Sequence, residues 1–145
     1  MSTYTIVSTP FESPRYEQAL ALRDRLLRKP VGLVMTDEDR KGDAHREHIV
    51  AVEDETVIGC VSYYLEAPNI MRIKQMVVDP AYQGKGIGVQ LMQAAEAAGY
   101  SEGARTARLH ARNTAIEFYT RLDYNGVGEL FLEKTIPHLL MEKAL

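Results

Sequence analysis

Apolar and polar positions change period several times along the chain, and each period predicts an element. "TYTIVS" alternates and predicts a short first strand. Pro14 is suited to open a helix, and Ala19, Leu22 and Leu26 recur at helical spacing up to Lys29 and Pro30. "HIVAVEDETVIGCVSYYLE" reads as two β-rich runs around the polar turn Glu53 to Glu55, a hairpin. "NIMRIKQMVVDP" predicts a further strand, ended by Pro80, which has no N–H for a ladder. Its alternation puts Met71, Ile73 and Val77 on one face and Arg72 and Lys74 on the other. Met76 and Val78 break that pattern, as a bulge near Gln75 would.

Farther along, Ile87, Leu91, Ala94 or Ala95, and Ala98 form a helical stripe closed by Gly99. "TARLHAR" alternates as a strand. Asn113 suits a helix N-cap, with Ala115, Phe118, Tyr119 and Leu122 following at helical spacing. "GELFLEKTI" and "PHLLMEKAL" predict two closing strands. The segment from Val31 to Arg46 is irregular and reads either as a short helix with a loop or as a mobile cap. The order β-α-(loop)-β-β-β-α-β-α-β-β describes a mixed α/β fold in a single domain over residues 1–145, without repeat or linker.

Composition narrows the partners. A chain of 145 residues is long enough for one domain that buries about two thirds of its unfolded surface. A net charge of −3 and the absence of a basic run give no attraction for nucleic acid. No window approaches the roughly 18 apolar residues of a membrane span, and no leader pattern opens the chain, so a cytoplasmic location is expected. The single cysteine, Cys60, sits in an apolar strand and is expected to be a small core residue rather than a nucleophile.

The stretch "VVDPAYQGKGIGVQLM" changes the picture most. Gly84, Gly86 and Gly88 alternate between a strand and a helix. A strand that turns through small residues into a helix presents unpaired N–H groups and the positive end of the helix dipole, which suits a phosphate. A plain tight turn is the simpler alternative, but it needs fewer glycines. The P-loop pattern fails because Gly86 follows Lys85, and the dinucleotide pattern fails at its third glycine, where Val89 or Leu91 stands.

Gln83-x-x-Gly86-x-Gly88 after Val77-Val78-Asp79-Pro80 resembles the pyrophosphate motif of the GNAT superfamily of N-acetyltransferases. "ARNTAIEFYTRLDY" resembles the family's second motif, with Asn113 and Tyr119 at matching places. "HIVAV" and "TIPHLLMEK" look like the ElaA-like branch. The resemblance implies a GNAT-like fold: a central, mixed, mostly antiparallel twisted sheet of about seven strands flanked by helices. It also implies acetyl-CoA as co-substrate, a primary amine as acceptor, and direct transfer in a ternary complex. No metal and no membrane partner are expected, and the resemblance allows a homodimer.

By that resemblance, Gln83, Gly84, Lys85, Gly86, Ile87 and Gly88 hold the diphosphate. Met76, Val77 and Val78 present a strand edge to the pantetheine, with the amide around Val77 as oxyanion donor. Asn113 bonds the pantetheine or caps its helix, Phe118 belongs to the same site, and Tyr119 is the general acid for the departing thiolate. Arg72 stands where several family members carry a glutamate base. His138 and His48 are therefore the candidate bases, with a water chain as a further route. His110 is expected to be exposed beside Arg108 and Arg112. The acids Asp37, Glu38, Asp39 and Asp43 read as a solvated loop, or as a device that steers a cationic amine. Without a base, the alternative is a non-catalytic acyl-CoA-binding module.

Overall fold

A computed structural model describes residues 3–145. Strand β1 (Thr5–Thr9) leads to helix α1 (Pro14–Arg23), which starts on a Ser13 cap and Pro14. The helix runs on through a π-helical turn (Asp24–Arg28) and a 3-10 turn (Lys29–Val31). Helix α2 (Asp37–Asp43) follows a capping box between Thr36 and Asp39, so the irregular segment does contain a short helix. Strands β2 (Glu47–Glu53) and β3 (Thr56–Ala67) form the expected hairpin. Its turn residues Asp54 and Glu55 are both left-handed, the geometry of a two-residue turn matched to strand twist.

Strand β4 (Ile70–Val78) runs into the glycine turn and then helix α3 (Ile87–Ser101). Strand β5 (Thr106–Arg112), helix α4 (Ile116–Arg121) and strands β6 (Asn125–Glu133) and β7 (Ile136–Ala144) complete the chain. One seven-stranded sheet results, in the order β1-β2-β3-β4-β5-β7-β6. Every neighbouring pair is antiparallel except β4 and β5.

Two features of β4 create the site. Its ladder with β5 covers only Ile70 to Arg72 against Thr106 to Arg108, and the strands part beyond. On its other side the register with β3 shifts between Cys60 and Ser62, and Gln75 is left-handed at φ 56°. That is the bulge expected near Gln75. The extra residue inverts the side-chain phase, which corrects one face assignment. Met76 and Val78 rejoin the core of Met71 and Ile73, while Val77 turns to the opposite core with Val50 and Cys60.

Two other expectations change. Asn113 does not cap a helix through its side chain; it opens a 3-10 turn (Asn113–Ala115) before α4. The acidic segment is not simply solvated. Asp43 is fully buried, accepts from Tyr16 Oη at 2.6 Å, and pairs with Arg23 at 2.7 Å and Arg46 at 3.1 Å. Asp39 pairs with Arg28 at 2.6 Å. Cys60 is buried as expected, and burial pushes its thiol up to about 12.

Candidate active site

The turn after β4 holds its glycines for two reasons. Gly84 and Gly86 are left-handed, at φ 82° and 77°, and a Cβ on either would meet nothing within 4 Å. Gly88 is different: a Cβ there would lie 3.2 Å from Phe118 and 3.6 Å from the Met76 methyl. The first two leave an open cradle. The third lets α3 pack on α4 and β4. Gly86 is also the N-cap of α3, and no side chain caps that helix, so its leading N–H groups face outward. Lys85 lies with its ammonium 5.4 Å from the Tyr82 ring centre.

Where β4 and β5 part, a cleft of about 360 Å³ opens. Its floor includes Ile73, Met76, Leu109 and Tyr119, and its open-face wall includes Arg72, Lys74, His110, Arg112, Glu133 and His138. Leu27, Arg28 and Leu33, from the turns after α1, overhang it. Arg112 fastens that overhang by donating to the Leu27 carbonyl at 2.6 Å.

Of the residues the sequence singled out, Met76, Tyr119 and His138 line this cleft together. Val77 and Val78 continue β4 toward the glycine turn, and Phe118 underlies Gly88. Asn113 sits between the cleft residues Arg112 and Thr114. His48 is held elsewhere. Its Nε2 donates to the Asp43 carbonyl at 2.8 Å, its ring packs 5.0 Å from Tyr16, and burial lowers its pKa. It does not reach the cleft that Tyr119 and His138 share.

Tyr119 is 8% exposed, and burial pushes its phenol up to about 12. It is therefore a protonated donor at neutral pH. His138 has its Nδ1 2.7 Å from the Ile136 carbonyl, an acceptor, so that nitrogen carries the proton. Its Nε2 points at Glu133 Oε2 from 3.4 Å.

Glu133 and His110 were not singled out as site residues, and His110 is half-buried rather than exposed. Arg72 donates to His110 Nε2 at 2.8 Å, which leaves His110 Nδ1 to donate to Glu133 at 3.1 Å. Burial raises the Glu133 carboxyl, but the His110 bond and the charges of His110, His138 and Lys74 outweigh it, and the net shift is downward. The carboxylate missing at position 72 is thus present in the cleft, brought in by β6. The alternation of Phe131 and Glu133 on "LFLE" is the only sequence signal for it, and that pattern fits any edge strand.

The sheet parting, the uncapped glycine turn and the cleft together define an acetyltransferase fold. The sequence profile of the acetyltransferase (GNAT) family matches residues 4–124, and the chain belongs to that family. YjcF of Bacillus subtilis, an uncharacterised N-acetyltransferase, is 27% identical over 128 residues, covering 88% of this chain and 91% of its own. A solved structure from Lactobacillus plantarum, described as an N-acetyltransferase, has a TM-score of 0.85 at 27% identity and 99% coverage of both chains. Escherichia coli ElaA shares the fold, with a TM-score of 0.80 at 19% identity over 99% of each chain.

Proposed function

We propose that the protein is an acetyl-CoA-dependent N-acetyltransferase that acetylates a primary amine by direct attack in a ternary complex. The observation that carries this reading is the meeting of Met76, Tyr119 and His138 where β4 leaves β5. Solved relatives of the same fold include an aminoglycoside 6'-N-acetyltransferase complexed with coenzyme A and a GNAT acetyltransferase with acetyl-CoA bound. At 17% and 18% identity they support the fold alone. ElaA, at 19%, supports the ElaA-like branch no further than that.

The chain's own residues fit the co-substrate. Open space at Gly84 and Gly86 and the uncapped start of α3 suit a diphosphate held by the amides of Gln83 to Gly88. The unpaired edge of β4 from Met76 to Val78 suits the pantetheine arm. Acetyl-CoA supplies the acyl group already activated as a thioester.

In this reading the Ile136 carbonyl holds His138 through Nδ1–H, the free lone pair on Nε2 takes the proton from the attacking amine, and Glu133 stabilises the imidazolium that forms. The amine nitrogen bonds the acetyl carbon as the carbon–sulfur bond breaks, and Tyr119 faces the departing sulfur. With its phenol near 12 and an ordinary thiol near about 8.5, Tyr119 donates a hydrogen bond. The sulfur departs as a thiolate held by that bond, and the proton of the amine remains on His138. The Glu133–His138 pair favours this reading over a non-catalytic acyl-CoA-binding module.

Two measurements test it. Calorimetry with acetyl-CoA should give saturable binding, and an amine panel should release free thiol. Binding without turnover on any amine would leave the binding module as the function.

A further inference from the structure

The cleft gathers positive charge on a chain that is negative overall. Arg28, Arg72, Lys74, Arg112 and Lys134 line it against a single carboxylate, Glu133, while the whole chain carries −3. Two of these cations are compensated, Arg28 by Asp39 at 2.6 Å and Arg72 by Glu66 at 3.1 Å. Among the described residues, Lys74, Arg112 and Lys134 make no ion pair with a carboxylate.

Arg112 is anchored through one nitrogen on the Leu27 carbonyl, so its guanidinium is fixed on the cleft wall with further N–H groups to offer. Lys74 feels the crowding. Burial and the nearby Arg46 lower its pKa, Glu133 opposes them, and Arg72 and Lys134 add to the fall. Arg112 is lowered likewise, by burial and by Arg28. Like charges collected in a half-buried space repel one another, and a bound anion relieves them.

The diphosphate of acetyl-CoA does not answer this charge. Its seat is the turn from Gln83 to Gly88, none of which lines the cleft, and the arm that would enter is uncharged. The cations are left for the acceptor.

We propose that the acceptor is a small amine bearing an oxyanion, a carboxylate or phosphate, held by Arg112 with Lys74 and Lys134. This rests on the N-acetyltransferase reading above. The lone carboxylate, Glu133, then faces the acceptor's ammonium end, and the cations face its acidic end. A guanidinium fork pairs with either oxyanion through two parallel hydrogen bonds. The cleft's 360 Å³ must also admit the thioester, which limits the acceptor to the size of an amino acid or a phosphorylated amino alcohol. Of the four acids read as a steering device, Asp39 and Asp43 are paired with Arg28 and Arg23, and Asp37 and Glu38 lie exposed on α2 outside the cleft lining.

Matched pairs test the proposal: glycine against glycinamide, 4-aminobutyrate against putrescine, and phosphoethanolamine against ethanolamine. Calorimetry with acetyl-CoA runs beside them. Thiol release should show at least about tenfold higher kcat/KM for the more anionic member of one series, which identifies carboxylate or phosphate. R112Q should then raise the KM of that substrate about tenfold and leave acetyl-CoA affinity unchanged. K134Q, on an exposed turn, should narrow the same preference if R112Q fails to fold. Equal or greater turnover of the members that lack the oxyanion overturns the proposal, and so does absence of turnover across the panel while acetyl-CoA binds. Failure to bind acetyl-CoA removes the N-acetyltransferase reading itself, and the inference with it.

Discussion

His138 and Glu133 face each other across one hairpin, with 3.4 Å between imidazole Nε2 and a carboxylate oxygen. The other oxygen of Glu133 is 3.1 Å from His110 Nδ1. The hairpin turn that holds them, Lys134 and Thr135, is left-handed at both residues, which fixes the register of the two strands. Replacing Glu133 by Gln keeps the shape and removes the charge opposite His138. We expect kcat to fall on the order of tenfold, with acetyl-CoA affinity in calorimetry unaltered. Unchanged turnover would exclude this carboxylate from proton transfer.

Tyr119→Phe removes only the hydroxyl of a residue that lines the cleft. The ring packing against Phe118 at 5.1 Å and Tyr124 at 5.9 Å remains, so folding should be preserved. Turnover should drop about a hundredfold with acetyl-CoA binding retained. A rate equal to wild type would take Tyr119 out of the reaction.

Gly86→Val places a branched side chain at φ 77° and fills the open side of the cradle. The left-handed backbone alone costs about 1–2 kcal/mol for a residue with a Cβ. Acetyl-CoA binding should be lost in calorimetry while the circular dichroism spectrum stays native. Retained affinity would mean that the diphosphate sits elsewhere.

Asp43 is the hub of a buried polar cluster with Tyr16, Arg23, Arg46 and His48. Asp43→Asn leaves Arg23 buried without its counter-charge, beside Arg23 Nε and Nη2, which already have no protein partner. Loss of about 3–5 kcal/mol in urea unfolding is expected. A loss below about 1 kcal/mol would show that water replaces the pair.

His48 makes the same region pH-sensitive. Burial lowers its pKa in the folded protein, so the unfolded chain takes up the proton first as pH falls. Its contribution to stability is complete above about 6.5 and declines below that value, toward the lower folded pKa. The urea midpoint should fall between pH 7.5 and pH 5, and His48→Gln should flatten that slope. The depressed carboxyls of Asp39 and Glu133 titrate below that window. An identical slope in the variant would acquit His48.

The fold was legible because local signals agreed with one another. Pro14, the acidic hairpin turn, the glycine turn and the alternation of β5 each fixed an element, and the broken phase of β4 announced the bulge. Asp123 is informative as well. Its φ of 72° is the left-handed conformation that favours glycine, and nothing in the local pattern foretells it. The polar wall of the cleft was less legible, because it assembles from strands far apart in sequence. His110 and Glu133 are 23 residues apart, and Arg72 and His110 are 38 apart. Nothing local to any of them states that they meet. His48 and Asp43 misled for a related reason: polar residues near an irregular segment look like surface or catalysis, whereas Tyr16 and Arg23 bury them.

The overhang tied down by Arg112 and the hairpin carrying Glu133 are attached at the periphery, while the cleft itself is made by the parting of two central strands. In the proposed reaction these peripheral pieces add to acceptor recognition, while Lys74 on β4 and Arg112 on β5 share the central strands with the donor. Under that reading, descendants of this sequence are free to exchange Leu27, Leu33 and Lys134 and so tune which amine they accept, without disturbing the strands that would hold the acetyl donor.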